Sequence, residues 1–197
     1  MNRTTLHRVS AMVVAIGVAS TSASPAAGTG ETVSGQARAV QATTLATAVL
    51  ADTGTLEGSG DARQATLSTG NVSSLLSAEV LRAVTVGWPD QVASEASLSN
   101  LKMAVGGTSI RADFVMARAF AVRDGAATAS TLIGNLAVNG VSVAVTGSPN
   151  QTIAIPGGQL VINEQRVSAA GTTVNAIHAA VAGVADVVVA TATAGIQ

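Results

Sequence analysis

The sequence predicts an all-β protein, an antiparallel and jelly-roll-like β-sandwich of about ten strands with at most a short helix. Two observations lead to this fold class. Apolar residues recur at every second position in segments such as Ile110, Ala112, Phe114 and Met116, and that period is typical of strands with one buried face. Glycine-containing turn signals separate such segments at the short, regular spacing expected of a sandwich or barrel.

The first half of the chain contains fewer clear signals. Residues 35–42 and 44–51 predict a pair of strands, with a turn at 52–54. The polar segment 61–70 predicts a loop. Residues 78–86 predict a strand because valines stand there among small and polar residues, and Trp88-Pro89-Asp90 ends it. A helix is the alternative for this segment, since Val72, Leu76, Val80 and Val84 would share one helical face.

The second half predicts successive hairpins. Asn139-Gly140 lies between two alternating segments, and this dipeptide favours a tight hairpin because both residues tolerate positive φ. Glycines at 106–107, 157–158, 171 and 183 indicate further turns. The predicted strands are residues 101–105, 108–114, 133–138, 141–145, 151–155, 159–167, 172–182 and 184–192.

The amino terminus has the order of features of a secretory signal peptide. Arg3, His7 and Arg8 precede an apolar run at residues 11–19, which is too short to span a bilayer. Small residues follow this run and favour cleavage after Ala23, with a cut after Ala26 as the alternative cleavage site. The alternative interpretation of the whole segment is a buried amino-terminal helix. We expect a signal peptide at 1–23, a flexible segment at 24–34 and a single β-sandwich domain at 35–197, located outside the cell or loosely on its surface.

The composition excludes several classes of function. The chain has 10 basic and 11 acidic residues, and removal of Arg3 and Arg8 would leave 8 basic residues, a net charge of −3. That balance argues against nucleic acid as a partner. The absence of cysteine excludes disulfides, thiol chemistry and cysteine metal sites. We expect no membrane span in the mature chain, and we read the apolar carboxyl-terminal segment as a final pair of strands.

Several short motifs in the second half occur in a characteristic order: residues 135–140 (NLAVNG), 149–158 (PNQTIAIPGG), 160–165 (LVINEQ), 174–178 (VNAIH), 186–190 (DVVVA) and 194–196 (AGI). Over residues 128–196 the chain resembles the choice-of-anchor P family of exported bacterial proteins, whose members carry different surface anchors or none. The resemblance implies a surface or secreted β domain without an established reaction. No anchor segment follows the motifs, which favours release over attachment to the cell wall.

Polar residues within these motifs are the candidates for chemistry: Asn150, Asn163, Glu164, Gln165, Asn175 and His178. A glutamate and a histidine could share a metal or act as acid and base. The stronger interpretation is structural. In a regular strand Glu164 faces away from Asn163 and Gln165, and Asn175 and His178, three residues apart, face opposite ways. We therefore expect no catalytic, cofactor or metal site.

The function predicted from the residues is that of a non-enzymatic structural or interaction protein of the cell envelope or extracellular space. Its partner would be a cell-wall or extracellular glycan, or a protein. The alternative is a carbohydrate-binding sandwich with Trp88 as the ligand platform. The chain has only three aromatic residues, Trp88, Phe114 and Phe120. We expect the two phenylalanines to lie in the core, and Trp88 to fill it unless it is exposed beside Asp90.

Overall fold

A computed structural model describes residues 32–168 and 171–197, and this part of the chain contains strands and turns but no helix. Thirteen strands follow one another: β1 Val33–Thr43, β2 Thr47–Asp52, β3 Ala62–Val72, β4 Leu76–Gly87, β5 Gln91–Val105, β6 Thr108–Val122, β7 Thr128–Gly134, β8 Ala137–Val138, β9 Val141–Ser142, β10 Gln151–Ile155, β11 Gly158–Ser168, β12 Gly171–Val181 and β13 Ala185–Ile196. No helix within the described residues is long and apolar enough to cross a bilayer.

Two antiparallel sheets pack face to face, so the predicted fold class is confirmed. The six-stranded sheet has the order β10-β11-β12-β13-β1-β2. The seven-stranded sheet has the order β3-β4-β5-β6-β8-β9, and β7 also pairs with β6. Most neighbours are consecutive in sequence, so the connectivity is a series of hairpins and is simpler than the two Greek keys of a jelly roll. The pairing of β13 with β1 brings the two ends of the domain together.

The turn glycines act as predicted. β5 and β6 are joined at Gly106-Gly107, and β8 and β9 at Asn139-Gly140, with positive φ at all four residues. The predicted signal peptide and most of the predicted flexible segment lie outside the described residues. β1 begins two residues before the predicted boundary at residue 35, because Val33 and Ser34 pair with Ile196 and Gly195.

One predicted loop is wrong. The polar segment 61–70 lies almost entirely within β3, which pairs with β4 along its whole length. β3 is the outer strand of its sheet and most of its side chains are exposed, so a polar sequence is compatible with strand structure there. The predicted strand at 78–86 is confirmed as part of β4, and the helical alternative is excluded.

A transverse kink crosses the six-stranded sheet. At one level in β11, β12, β13 and β1, two successive side chains face the core: 162 and 163, 176 and 177, 189 and 190, and 39 and 40. Asn163 and Ala190 have φ of 53°, and Ala51 in β2 has φ of 48°. The pairing register is the same on both sides of this level. The kink therefore reverses the in–out alternation of all these strands together.

The seven-stranded sheet is kinked in the opposite sense. In β4, β5 and β6 two successive side chains face outwards: 79 and 80, 99 and 100, and 113 and 114. Val80, Asn100 and Asn135 have φ of 49°, 52° and 53° at this level. The predicted faces of Phe114 and Met116 are therefore wrong. Alternation from Ile110 is interrupted at Asp113, so Val115 faces the core and its two neighbours face outwards.

The two sheets approach closely around Gly35. A Cβ atom there would lie 2.5 Å from Thr85 Oγ1 in the opposite layer and 2.7 Å from a methyl carbon of Leu56 in the segment between β2 and β3. Ser94 Oγ donates a hydrogen bond of 2.6 Å to the Thr193 carbonyl, and Thr85 Oγ1 lies 2.7 Å from Ser94 Oγ. This polar bridge joins β5 to β13 across the interior. Small side chains are required here because the gap between the layers is narrow.

Candidate functional site

The candidate polar residues form two groups. The first group fastens the loop before β10 to β11. Asn150 N–H donates to the Asn163 carbonyl, and Gln165 N–H donates to Asn150 Oδ1, both at 2.9 Å. Asn163 Nδ2 donates to the Gly147 carbonyl at 2.9 Å. The side chains of Asn150, Asn163 and Gln165 thus form hydrogen bonds with backbone groups and with one another, which is a structural role.

Gln165 also connects the two layers. Its Nε2 donates to Asn163 Oδ1 at 2.9 Å and to the carbonyl of Ala129, in β7 of the opposite sheet, at 3.3 Å. Asn163 and Gln165 thus share one side of β11, as the alternation predicts. Glu164 faces the other side and belongs to the second group.

The second group is centred on Glu164, whose side chain is 13% exposed. Glu164 Oε2 accepts a hydrogen bond from Asn175 Nδ2 at 2.7 Å and lies 2.9 Å from His178 Nδ1. Glu164 Oε1 pairs with Arg166 at 2.9 Å. His178 Nε2 lies 3.1 Å from Asp186 Oδ2. The sequence thus provides the glutamate and the histidine, and the fold places both on the outer face of the six-stranded sheet.

The prediction that Asn175 and His178 face opposite ways is wrong. The kink at 176–177 directs two successive side chains inwards, so residues three apart return to the same outer face. Register then aligns Glu164, Asn175, Thr191, Arg38 and Asp52 in one row across five strands. We call this row the polar ladder.

The polar ladder is bonded along most of its length. Thr191 Oγ1 donates to Asn175 Oδ1 at 2.8 Å, and Arg38 Nε pairs with Asp52 Oδ2 at 2.8 Å. The Arg38 guanidinium also contacts Gln41 Oε1, three residues along β1. His178 likewise lies three residues after Asn175, the cross-strand partner of Glu164, and contacts Glu164 across the kink. The ladder therefore cross-links neighbouring strands through their outward side chains.

Two carboxylates of the ladder are stabilised in their charged form. Burial raises the pKa of Glu164, but hydrogen bonds from Asn175 and Arg166, with the charges of His178 and Arg166, outweigh burial and lower that pKa below its usual value. Burial likewise raises the pKa of Asp52. Hydrogen bonds from Gln36, the Gly54 backbone and Arg38 outweigh it, so the pKa of Asp52 is also lowered.

The polar side chains of the second group contact one another. The two ring nitrogens of His178 face two different carboxylates, and Glu164 already has three partners. Within residues 32–168 and 171–197, no group of three or more His, Cys, Asp or Glu side chains is arranged to hold a metal ion.

All three aromatic residues lie outside the core, which corrects the expectation for each of them. Phe114 is half-buried on the outward side of β6, and Phe120 on the same side is 39% exposed. The kink at 113–114 is the reason, since it reverses the alternation that would have turned Phe114 inwards. Trp88, in the turn between β4 and β5, is also 39% exposed and does not fill the core.

A shallow groove of about 320 Å³ runs over the outer face of the seven-stranded sheet next to Phe120. Val84, Val86 and Ala93 provide its apolar part, and Arg118 pairs with Glu95 at 2.5 Å beside them. Trp88 follows two residues after Val86. We call this feature the aromatic groove.

Sequence analysis did not identify the residues that line the aromatic groove: it assigned Phe120 to the core, and its candidate platform, Trp88, lies near the groove in sequence but does not line it. A signal was present in β4, where Val84 and Val86 flank Thr85. Thr85 is the buried residue of the three and bonds Ser94. Valine is ordinarily assigned to the core and threonine to the surface. The polar bridge between the layers reverses that assignment, so the two valines line the outer groove.

Comparison of the chain with protein-family models, with curated proteins and with solved structures finds no match. The arrangement of the side chains themselves is therefore the basis for inferring what the protein does.

Proposed function

We propose that this protein is a non-enzymatic interaction domain that works outside the cytoplasm, in the extracellular space or on the cell envelope. One observation carries the proposal. The chain has only three aromatic residues, and none of them is used in the core. Aromatic side chains contribute strongly to binding surfaces, because they bury a large area at little conformational cost. Their position on one sheet supports a role in recognition.

Two further features support the proposal. The polar residues closest to a catalytic constellation, Glu164 and His178, are occupied by one another and by Asn175, Arg166 and Asp186. The order of basic, apolar and small residues over 1–23 favours export. The resemblance to the choice-of-anchor P family favours the same location.

The proposal is tested by expressing the full chain in a bacterial host and measuring it in medium, wall and membrane fractions. We expect protein cleaved after Ala23 or Ala26, identified by the mass of its amino-terminal peptide, in the medium or loosely held on the wall. Full-length protein retained in the membrane or cytoplasm would contradict export.

The interaction role is tested on the wall fraction. Trp88→Ala and Phe120→Ala should reduce retention, because each removes an exposed aromatic surface. Leu45→Ala is the matched control: Leu45 is fully exposed in the turn between β1 and β2, at the other sheet. Equal retention of all variants would contradict the assignment of binding to the aromatic residues.

A carbohydrate-binding module is the second candidate, favoured by the aromatic groove. Its apolar part lies beside a charged pair, Arg118 and Glu95, and ligand sites commonly combine an apolar surface with a few polar groups. Sugars should then elute the wild-type protein from the wall. The double variant Trp88→Ala, Phe120→Ala should not respond to them.

A further inference from the structure

A second groove lies on the same outer face, towards the other end of the strands. It has a volume of about 280 Å³ and is bounded by the turn between β3 and β4, by β5 and by β6. Leu75 in that turn accepts a hydrogen bond of 2.8 Å from the Ala104 N–H, which holds the turn against β5. Glu95 of the aromatic groove and Lys102 of this one are both on β5, seven residues apart, a separation of about 23 Å.

Two cations face each other in this groove. Lys102 of β5 and Arg111 of β6 are direct cross-strand partners, and both are exposed. Like charges directly opposite one another destabilise a sheet. Within the described residues, neither side chain has an ion pair or hydrogen bond to a carboxylate or any other group.

The nearby carboxylates have other partners. Glu79 and Asp113 lie two residues from Ser77 and Arg111 on the outward side of β4 and β6. Glu79 accepts a hydrogen bond from Asn100 Nδ2 at 2.7 Å, and Asp113 accepts one from Asn135 Nδ2 at 2.7 Å. Glu79 and Asp113 therefore do not neutralise Lys102 and Arg111 by direct contact.

The groove also has neutral hydrogen-bonding groups. Asn71, Ser77 and Ser109 line it, and among the described residues their side chains make no hydrogen bond. Register places Asn71, Ser77, Lys102 and Arg111 in one row across four strands. Two cations with free hydroxyl and amide groups beside them are suited to an anionic group that also carries hydroxyls.

We propose that this groove binds the anionic groups of an acidic polysaccharide, with Lys102 and Arg111 contacting a carboxylate or phosphate ester and the neutral groups contacting sugar hydroxyls. This inference rests on the proposed interaction function and specifies its ligand class. Because the chain carries a net charge of −1, the attraction is local to the groove and does not arise from the protein as a whole.

The test is titration calorimetry of the full chain with three probes. Oligogalacturonate of six residues carries carboxylates, inorganic tripolyphosphate carries phosphates, and maltohexaose is a neutral oligosaccharide of the same length. We expect the first or the second to bind, maltohexaose not to compete at this site, and the affinity to fall as salt is raised. The relative affinities of the carboxylate and phosphate probes show which of the two anionic groups the site prefers.

Lys102→Gln and Arg111→Gln should each weaken binding about tenfold, because each removes one charge-assisted contact. Arg82→Gln is the control, since Arg82 is an exposed cation on the same face that also lacks an ion pair in the described structure. It lines the aromatic groove and not this one, so the variant also tests whether the anion binds there instead. It should change the affinity less than twofold. Both test variants should keep the wild-type melting temperature or exceed it, which excludes misfolding as the cause of any loss.

No binding of either anionic probe would overturn the inference, as would equal losses in all three variants. If anion binding is unaffected by Lys102→Gln and Arg111→Gln but is lost in Trp88→Ala, the inference fails and the interaction function stands. If neither groove influences wall retention or ligand binding, both proposals fail.

Discussion

The outer faces of the two sheets differ in how their side chains are satisfied. On the six-stranded sheet the polar ladder bonds Glu164 to Asn175, Asn175 to Thr191 and Arg38 to Asp52. On the seven-stranded sheet the outward positions include exposed aromatic residues and the facing cations Lys102 and Arg111. The polar side chains of the ladder bond mainly to one another, whereas the other face leaves aromatic surface and two facing cations available to a partner.

The two kinks explain much of this difference. On the six-stranded sheet each kinked strand turns an additional side chain inwards, so outward residues three apart approach one another, as His178 and Glu164 do. On the seven-stranded sheet each kinked strand turns an additional side chain outwards, and Phe114 is one of them. A kink that turns an additional side chain inwards thus favours hydrogen bonding among the outward residues. A kink that turns an additional side chain outwards favours exposure of that side chain.

The largest effect is expected for Ile177→Asp. Ile177 is fully buried and is one of the two successive inward residues at the kink of the six-stranded sheet, so the variant places an unpaired carboxylate in the core. The free energy of unfolding should fall by more than about 4 kcal/mol, which is enough to unfold many domains. Circular dichroism melting measures it. Val188→Asp, on the outward side of β13, should stay folded; a wild-type-like melt of Ile177→Asp would show that the inward face is wrongly assigned.

Glu164→Ala and Glu95→Ala compare the same substitution on the two faces. Loss of Glu164 leaves Asn175 and His178 without their acceptor in a half-buried site, and should cost about 1–3 kcal/mol of stability. Glu95 makes an exposed pair with Arg118, so its loss should cost about 0–1 kcal/mol. Urea unfolding measures both, and equal costs would contradict the difference between the faces.

The stabilising effect of Glu164 should depend on pH. Because the pKa of its carboxyl is lowered in the folded protein, the contribution is fully present above the ordinary glutamate pKa of about 4.3. It is lost as pH falls through the lowered pKa. The stability difference between wild type and Glu164→Gln, measured by urea unfolding, should therefore shrink as the pH falls from about 5 towards 3. A difference that is independent of pH over this range would show that the carboxylate charge is not involved.

The smallest effect is expected at the kink of the seven-stranded sheet. Val80 has φ of 49° and is 65% exposed, an unfavourable conformation for a β-branched residue. Val80→Asn should raise the free energy of unfolding by roughly 1 kcal/mol, because asparagine tolerates this region. Val141→Asn is the control, at a comparably exposed valine without positive φ. It should change stability by less than about 0.5 kcal/mol; equal shifts in both variants would contradict strain at Val80.

Sequence reasoning identified much of the site by residue but little of it by geometry. Glu164 and His178 were singled out, yet their contact depends on the kink at Ala176-Ile177, which regular alternation does not reveal. The role of Asn163 and Gln165 as ties to loop backbone follows the structural interpretation. The aromatic groove and the Lys102–Arg111 groove were not found, because each is formed by several strands whose pairing is set by the sheet.

By itself, the sequence determined the fold class and the turns. Alternation and β-branched residues favour strands, and dipeptides such as Asn139-Gly140 and Gly106-Gly107 tolerate the positive φ that tight hairpins need. Only the tertiary structure decided which side of each strand faces the core beyond the kinks. That choice is collective: neighbouring strands shift their alternation at the same level, and a residue such as Phe114 faces outwards because the sheet around it does.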